Sequence, residues 1–464
     1  MNVTVVDLVI KNGRIVSSHC IFDAGIAINE GRIVALARES NLPRADVTID
    51  AEGKFVLPGL IDAHVHFREP GGEEREDFET GTKAAAAGGV TTVLEMPVSN
   101  PAVSSADVLE RRKTILEARA VVDFGLYGGA GSHNIDEIPD LAEVGAIGFK
   151  TFMHRPSPER EVEFKGLYVT DDASLYDALK AASRTGLPSS VHCENNTTVE
   201  RMIEELRKAG RKDAMAHAES RPNFVEAEAI SKVIILSKAA GARAHIAHLS
   251  TKEGAHLVQQ AKASGQILTA ETCPHYLVLT AETLKEVGPY AKTNPPLRSK
   301  EDNEVLWRSL SDGTVDIIAS DHAPFTKEEK DIGMDDIWKA PPGAPQIETM
   351  LPLLLTQVNA GKITIQTLVK VTSESVAKIF GLYPKKGAIQ VGSDADLTII
   401  DIEKETKVSI DKMYSKARDV TIYDGWRVKG LPVVTLVRGQ VVMDHGQVIG
   451  NPGHGNFVRP LGMH

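Results

Sequence analysis

The sequence predicts an α/β protein: a (β/α)8 barrel with a small β-sandwich domain formed by both ends of the chain. In the middle of the chain, short apolar runs that look like strands alternate with helical stretches, which is typical of a parallel sheet covered by helices. At both ends, β-rich runs are separated by glycine turns instead. Seven or eight βα units over about 330 residues favour a closed barrel over an open, doubly wound sheet.

The two ends of the chain resemble each other in their β-rich composition. The first 56 residues contain VDLVIKNGRIV, AGIAINEGRIVAL and VTIDAEGKFVL, which carry Asn-Gly or Glu-Gly turns. The same pattern returns near the C-terminus in GSDADLTIIDI and VTIYDGWRVKGLPVVTLVRGQVVMDHGQVIG. We therefore expect residues 1–56 and 387–464 to form one sandwich, and residues 57–386 to form the barrel.

The barrel strands are predicted in GLIDAHVHF, GVTTVLEMP, VDFGLYGG, AIGFKTFM, PSSVHCEN, RAHIAHLS, QILTAETCP and VDIIASDHAP. Helical candidates such as DASLYDALKAASRTG and EAEAISKVIILSKAAG fall between them. An open sheet that binds nucleotides would show a glycine-rich phosphate loop. The chain has no GxGxxG after its first strand and no P-loop motif, which argues for the barrel.

Composition excludes several classes of partner. The chain has 464 residues, 42% of them hydrophobic, and a formal net charge of −11 without a basic cluster, so we expect no nucleic-acid partner. No apolar run approaches 18 residues, and the first sixteen residues look like a strand rather than a signal peptide, so we expect no membrane span. Three scattered cysteines, Cys20, Cys193 and Cys273, suit a reducing cytoplasm, where we expect the protein to be located.

Polar side chains occur at the ends of successive predicted barrel strands, where the carboxyl ends of the strands meet. They are His64, His66, Lys150, His192, His245, His248, Asp321 and His322. Residues two apart in a strand point to the same face, so His64 and His66 can bind one ion together. Burying this many polar groups without partners is costly, which predicts a metal site. Imidazole and carboxylate ligands suit zinc, and also manganese, iron or cobalt.

Lys150 does not fit a simple metal site, because an ammonium group cannot bind a cation. It could be paired with a carboxylate, be neutral, or be chemically altered. Carbamylation by CO2 would convert it into an anionic, carboxylate-like ligand that could bridge two metal ions.

A family resemblance emerges from DAHVHFREPG, GTKAAAAGGVTTVLEMP, GFKTFM, VHCEN, AHLS, CPHYL and SDHAP taken together. The chain resembles the cyclic amidohydrolases, which include dihydroorotase, allantoinase and the hydantoinases or dihydropyrimidinases. GSDADLTIID also resembles that family's return into its β-sandwich domain, so the resemblance covers essentially the whole chain.

The resemblance implies two divalent metal ions, which we expect to be Zn²⁺. By this resemblance, His64 and His66 bind the more buried ion, and Lys150, as N6-carboxylysine, bridges both. The other implied ligands are His192 and His248 for the second ion, and Asp321 for the first. His245 matches no ligand position and is expected to be structural, and His322 is expected to support the ligands without binding metal.

The resemblance also implies the chemistry. Two close cations lower the pKa of a shared water, and the resulting hydroxide attacks the carbon of a ring amide. Asp321 takes the proton and returns it to the departing ring nitrogen, acting first as a base and then as an acid. The amide C–N bond of the ring opens, and a carboxylate forms.

Arg68 bears on the choice of ring. A guanidinium fork matches a carboxylate, and HFREPGGE resembles dihydroorotase, in which the matching arginine holds the substrate carboxylate. Alternatively, Arg68 and Glu69 could form a loop salt bridge. Two departures weaken the dihydroorotase interpretation: Val98 replaces an asparagine and Phe325 replaces a histidine of that pattern.

Other stretches favour a cyclic ureide. VDFGLYGGAG, EVGAIGFKTFM, DIWKAPPGAPQIETMLPLLLT and GNFVRP resemble allantoinases or L-selective hydantoinases. Gly72 replaces the arginine of the allantoinase pattern Glu-Pro-Gly-Arg. D-selective hydantoinases carry a tyrosine shortly after KxFM, whereas here His154 and Arg155 follow Met153. We therefore predict hydrolysis of an allantoin- or hydantoin-type ring, with dihydroorotase as the alternative.

The resemblance places the ring against Asn294 and the GAPQ stretch, which could also be merely a turn. Its implied substrate-binding residues there are Asn294, Gly343, Ala344, Pro345 and Gln346. The expected partners are thus a small cyclic ureide or imide and, by resemblance, further copies of the chain in a dimer or tetramer.

Two other classes of protein fit these residues less well: a non-catalytic scaffold and a mononuclear deaminase. A non-catalytic scaffold of this family would be expected to lose metal ligands, and all six are present here. A mononuclear deaminase could use Glu194 in HCEN, but it would not need Lys150. A metal count separates the deaminase from the cyclic amidohydrolase, because one ion per chain is expected for the deaminase and two for the cyclic amidohydrolase.

Overall fold

The computed structural model describes residues 5–462. The N-terminal part contains only strands and one short 3-10 turn before the barrel begins. The strands are β1 (Val5–Lys11), β2 (Arg14–Val16), β3 (Ile21–Asp23), β4 (Gly25–Asn29), β5 (Arg32–Ala37), β6 (Arg44–Asp50) and β7 (Phe55–Pro58). The expected first strand thus begins at Val5, and the part of that expectation that falls on residues 1–4 lies outside the described residues.

Eight parallel strands then form the barrel, one of them in two pieces. They are β8 (Leu60–Val65), β9 (Val90–Glu95), β10 (Asp123–Leu126) with its continuation β11 (Gly128–Gly129), β12 (Phe149–Phe152), β13 (Pro188–His192), β14 (Arg243–Ile246), β15 (Leu268–Thr272) and β16 (Ile317–Ile318). Each pairs in parallel with the next. A parallel bridge from Val65 to His322 closes the ring, so the predicted barrel is confirmed.

The helices cover the outside of the barrel. They are Phe78–Ala87, Ala106–Glu117, Ile138–Glu143, Glu161–Phe164, Asp172–Ser183, Asn196–Lys208, Ala214–Glu219, Asn223–Ala240, Lys252–Ala263, Pro274–Val278, Thr283–Val287, Lys300–Asp312, Lys327–Asp331, Ile347–Asn359, Ile365–Val369 and Ser375–Ile379. Local signals set their ends: Asp171 accepts a hydrogen bond from the Ser174 N–H at one helix start, and Gly241, with a φ of 67°, ends another. The helices predicted from DASLYDALKAASRTG and EAEAISKVIILSKAAG are both present, as Asp172–Ser183 and Asn223–Ala240.

The C-terminal strands complete the sandwich. They are β17 (Leu397–Lys407), β18 (Arg427–Val437), β19 (Gln440–Asp444) and β20 (Gln447–Val448). One sheet has the order β5-β4-β1-β6, and the other has the order β20-β19-β18-β17-β7-β2-β3. Because β7 pairs antiparallel with β17, both chain ends share one sheet, as predicted. Apolar side chains such as Leu8, Ile26, Val56, Leu397 and Leu436 fill the core between the sheets.

The segment between β17 and β18 departs from the β-rich expectation. Its VTIYDGW stretch forms no strand; instead, 3-10 turns occupy Ile410–Lys412 and Arg418–Val420, and the strand begins only at Arg427. Tertiary contacts explain the difference, since the Tyr423 hydroxyl donates to Gln346 Oε1 at 3.1 Å at the barrel mouth. Within residues 5–462, every helix is too short or too polar to cross a bilayer.

Candidate metal centre

His64, His66 and Asp321 converge at the carboxyl end of the barrel. His64 Nε2 and His66 Nε2 lie 3.5 and 3.6 Å from Asp321 Oδ1, and one ligand atom from each residue lies within 4.8 Å of the others. The two-residue spacing at the end of β8 places both imidazoles on the inner face. All three side chains are buried, so the group could hold a metal ion.

A second pair of imidazoles lies beside this group. His192, the last residue of β13, has its Nδ1 3.0 Å from Nε2 of His248, which follows β14. The His248 ring centroid is 5.2 Å from that of His64. Lys150 in β12 completes the set, with its Nζ 3.4 Å from His64 Nε2. The structure therefore brings all six sequence-predicted ligands together.

Two buried carboxylates contact these imidazoles on the side away from the pocket: Glu271, which sequence reasoning missed, and Glu194, which it considered only for a deaminase. Glu271, in β15, accepts hydrogen bonds from His64 Nδ1 and from His245 Nε2. Glu194 contacts His192 Nε2 at 2.9 Å and pairs with Arg221 at 2.5 Å. Carboxylates in this position fix the tautomer and orientation of metal-binding histidines. Glu271 stands at a strand end in QILTAETCP, and this position could have revealed it from the sequence. His245 has a structural role, because its Nε2 contacts Glu271.

The charges of these carboxylates are stabilised by their partners. Burial alone would raise the pKa of Glu271, but its electrostatic interactions and hydrogen bonds with His64 and His245 hold it well below its ordinary value. In the same way, Arg221 and His192 keep the pKa of Glu194 low against the effect of burial. Each therefore stays ionised and can accept an N–H from a neutral imidazole.

The donor set fits metal ions. Burial, followed by the nearby Lys150 charge, lowers the pKa of His64 to about 4, so its ring is neutral and its Nε2 can carry a free lone pair. The Nδ1 atoms of His66 and His248 are buried with no hydrogen-bond partner among residues 5–462. Four imidazoles and a carboxylate are ligands that zinc and similar divalent ions prefer.

Lys150 is not part of an ion pair. No Asp or Glu oxygen within the described chain lies within 4.0 Å of its Nζ, and the lysine is fully buried. Burial lowers the pKa of Lys150 and raises that of Asp321. The simple alternative, a barrel lysine neutralised by a contacting carboxylate, is therefore not what the structure contains.

His322 faces away from the ligand atoms. Its Nδ1 accepts the Gln346 N–H at 3.0 Å, and its Nε2 lies 3.4 Å from Glu76 Oε2. The backbone carbonyl of His322 accepts the His66 N–H at 2.8 Å. His322 thus ties the Asp321 loop to the neighbouring loop that begins at Gly343.

Some of the expected ring-binding residues line the pocket, and the others are buried behind its surface. Asn294 and Gly343 line the pocket beside His64 and His66, and Asn294 Oδ1 is buried without a partner among residues 5–462. Ala344 and Pro345 are buried, and the Ala344 carbonyl accepts the Ala323 N–H at 3.0 Å. Gly343 has a φ of 140°, and a Cβ there would lie 2.3 Å from the Ala323 carbonyl oxygen, so only glycine fits.

The rest of the pocket lining carries guanidinium, aromatic and small apolar groups and one further imidazole. These residues are Arg68, Val98, Phe152, His154, Arg160, Phe164, Ala323 and Pro342. Sequence reasoning missed Arg160, which ends a 3-10 turn of three residues, Pro158–Arg160, too short for any periodicity to mark it. Arg155, the neighbour of His154, is exposed.

The Arg68–Glu69 salt bridge considered from sequence does not form. Glu69 Oε1 instead pairs with Arg119 at 3.2 Å, and Arg68 stacks on Phe325 with its Cζ 4.4 Å from the ring centroid. Gly72 accommodates this arrangement, because a Cβ at Gly72 would lie 2.9 Å from the Arg68 Cβ. The two departures at Gly72 and Phe325 therefore both shape the environment of Arg68.

Known proteins share this sequence and architecture. Residues 55–442 match the amidohydrolase family. An L-hydantoinase of Paenarthrobacter aurescens is 39% identical, with 97% of this chain and 98% of the relative covered. A dihydroorotase of Methanothermobacter thermautotrophicus is 38% identical (97% of each chain), and an allantoinase of Solibacter usitatus is 35% identical (98% and 97%).

A solved structure of the L-hydantoinase (dihydropyrimidinase) from Arthrobacter aurescens superimposes with a TM-score of 0.94 at 39% identity, covering 98% of this chain and 100% of that one. The match extends over the barrel and the sandwich alike, so the resemblance seen in the motifs is confirmed. The chain belongs to the amidohydrolase family.

Proposed function

We propose that this protein hydrolyses the ring amide C–N bond of a cyclic ureide of the hydantoin or allantoin type, giving a ring-opened carbamoyl or ureido acid. The observation that carries the proposal is the convergence of the six expected ligand residues at the carboxyl end of the barrel. His64, His66 and Asp321 form one group, and Lys150 connects it to the pair of His192 and His248.

Two divalent ions, proposed to be Zn²⁺, would be held by these side chains. His64, His66 and Asp321 would hold one, and His192 with His248 the other. Lys150 would span both as N6-carboxylysine: its neutral amine adds to CO2, an N–C bond forms, and one proton is released. Burial favours this step because it disfavours the ammonium form. When bound, the ions polarise the amide and lower the pKa of water.

Asp321 is the proposed acid and base. Burial raises the pKa of its carboxyl group, and a carboxyl group within reach of the attacking water can serve as a general base and then as a general acid. At Oδ, Asp321 would accept a proton from the attacking water. It would return that proton to the ring nitrogen as the C–N bond opens, while Asn294 and the backbone at Gly343 orient the ring.

The side chains around the ring favour a ureide over dihydroorotate. Val98 lines the pocket with an apolar surface, and Phe325 presents its ring face to Arg68 rather than a polar group to the substrate. The L-hydantoinase and allantoinase relatives support the same choice. Dihydroorotate remains the second candidate because Arg68 is a carboxylate-binding type of residue, and a dihydroorotase is 38% identical.

A hydrolysis panel tests this proposal. Metal-loaded protein would be given allantoin, both enantiomers of a 5-substituted hydantoin, dihydrouracil and dihydroorotate. We expect turnover of a hydantoin or allantoin ring. Turnover of dihydroorotate alone would reverse the ranking of the two candidates, and turnover of none of these rings would reject the cyclic amidohydrolase activity itself.

A further inference from the structure

The segment that connects β17 to β18, residues 408–426, leaves the sandwich and contacts the mouth of the barrel. The Tyr423 hydroxyl donates to Gln346 Oε1 at 3.1 Å, and the Ser415 hydroxyl donates to Glu76 Oε2. All four side chains are buried. The connecting segment therefore binds two buried polar groups of the barrel.

These two barrel residues lie next to the two ring nitrogens of His322. The Gln346 N–H donates to His322 Nδ1 at 3.0 Å, and Glu76 Oε2 lies 3.4 Å from His322 Nε2. Because Nδ1 accepts a hydrogen bond, a neutral ring carries its hydrogen on Nε2, next to the Glu76 carboxylate. Each nitrogen of His322 thus contacts a residue that the connecting segment binds.

The Gln346 side chain is held at both ends of its amide. Its Oε1 accepts the Tyr423 hydroxyl, and its Nε2 lies 2.8 Å from Nδ1 of His275, which follows β15. Without the Tyr423 hydroxyl, Gln346 Oε1 would lose its hydroxyl donor inside the protein, which is costly unless the amide turns. A change in Gln346 would shift the N–H group that contacts His322.

Glu76 has more partners than Gln346 Oε1 has. Besides the Ser415 hydroxyl, its carboxylate accepts the Lys416 N–H at 3.2 Å and the Thr80 hydroxyl. Removal of the Ser415 hydroxyl alone leaves two of these three donors in place. Ser415 is therefore expected to matter less than Tyr423.

Asp321 needs such support because of its backbone. It directly precedes His322 and has a φ of 50°, a left-handed conformation that a residue with a side chain keeps only when its surroundings hold it. The last barrel strand has already ended at Ile318. The contacts of the His322 ring therefore help to hold the loop that carries Asp321.

We propose that Tyr423 and Ser415 are positioning residues for the hydrolysis: through Gln346 and Glu76 they fix His322 and, with it, the orientation of the Asp321 carboxyl group. The inference rests on the proposed function, in which Asp321 moves the proton. The sandwich domain then contributes to the reaction of the barrel, in addition to joining the two ends of the chain.

Tyr423→Phe tests the proposal because it removes one hydroxyl and keeps the ring. With the substrate found by the hydrolysis panel, we expect kcat to fall by about 10-fold and KM to stay near the wild-type value, since outer partners of a metal site contribute roughly 10–100-fold. Tyr414→Phe is the matched control. Tyr414 lies in the same segment, but its hydroxyl contacts Gly446 and Val448 of the sandwich, so kcat should equal that of the wild type.

Hydrogen exchange in the metal-free protein gives a second readout that does not depend on turnover. The backbone of residues 319–324 is expected to exchange faster in Tyr423→Phe than in the wild type, because a loop with less support opens more often. Tyr414→Phe should exchange at the wild-type rate. Ser415→Ala should change kcat and exchange in the same direction by smaller factors, and it replaces Tyr423→Phe if that variant does not fold.

Urea unfolding of each variant separates positioning from a purely structural role. Lower stability of Tyr423→Phe with an unchanged kcat of the folded protein would overturn the proposal. An equal loss of kcat in Tyr414→Phe would also overturn it, because the effect would then not depend on the contact with Gln346.

The two proposals can fail separately. If the wild type hydrolyses none of the rings in the panel, the proposed function is rejected, and the exchange rates of residues 319–324 alone decide whether Tyr423 supports the Asp321 loop. If the wild type is active and Tyr423→Phe keeps its kcat, the hydrolysis stands and the positioning role is rejected.

Discussion

Two buried clusters in this protein have the side-chain types and spacing of a metal site, yet they differ in whether their carboxylates contact a lysine or arginine. His64, His66 and Asp321 lie at the barrel mouth, whereas Asp123, Asp394 and Asp396 lie where the barrel meets the sandwich. In each cluster, one ligand atom from every residue lies within 4.8 Å of the others. Distance alone does not distinguish them.

The group of Asp123, Asp394 and Asp396, the aspartate cluster, is in contact with a lysine and an arginine. Lys386 Nζ lies 2.7 Å from Asp123 and 3.2 Å from Asp394, and it also contacts Asp396. Arg438 of the sandwich pairs with Asp123 as well. The metal-centre candidate holds neutral imidazoles and a lysine that pairs with no acid. Each carboxylate of the aspartate cluster contacts a lysine or arginine, and the cluster joins two domains. Within the described residues Asp321 contacts no lysine or arginine, so its group is suited to bind a ligand.

The largest effect is expected from Lys150. Lys150→Ala should lose metal and nearly all activity, because the residue proposed to span both ions is removed. Lys150→Met preserves the volume of the side chain and should give the same result. Metal content by elemental analysis and kcat/KM would be measured together. Full activity with an unchanged metal content in either variant would refute the bridging role of Lys150.

Asp321→Asn is expected to reduce kcat/KM by about 10²–10⁴-fold, since general acid–base catalysis contributes a factor of this size. Steady-state hydrolysis of the ring substrate found by the panel provides the measurement. Asp394→Asn in the aspartate cluster is the matched control, and it should keep wild-type kcat/KM. The comparison of the two clusters would fail if both substitutions lowered activity equally.

Lys386→Met is expected to lower the free energy of unfolding and to leave the activity unchanged. It leaves the buried carboxylates of Asp123 and Asp396 without their lysine, and breaking a buried ion pair costs about 3–5 kcal/mol. Urea unfolding would show the loss, while the metal content of the folded protein stays unchanged. Lys385→Met removes a neighbouring, half-exposed lysine and should change stability much less. A loss of metal without a loss of stability would contradict this assignment.

Glu271→Gln gives the smallest expected effect. Removing the carboxylate behind a metal-binding histidine lowers metal affinity or activity by about 10–100-fold. Metal-binding titrations of wild type and variant would measure it. Thr269→Val removes only the other hydrogen bond of His245, 2.8 Å from its Nδ1, and serves as the control. If both variants bound metal as tightly as the wild type, Glu271 would have no orienting role.

Much of the site was predictable because its signals are local. A strand places residues two apart on one face, and parallel strands bring their carboxyl ends together, so His64, His66, His192 and Asp321 could be expected to meet. Glu271 carries the same signal and was overlooked. Arg160 carries none, since it ends a 3-10 turn of only three residues. Its place at the pocket depends on contacts with Glu163 and Phe325 that no periodicity reveals.

By itself, the sequence determined the barrel, the sandwich shared by the two chain ends, and the set of proposed ligand residues, because strand and helix periods and strand-end polarity are short-range properties. Tertiary structure alone decided which buried charges are neutralised. Lys386 and Asp123 are 263 residues apart, and Arg68 turns away from its neighbour Glu69 to stack on Phe325. Charge pairing depends on distances in space, and such distances are set only when the whole chain has packed.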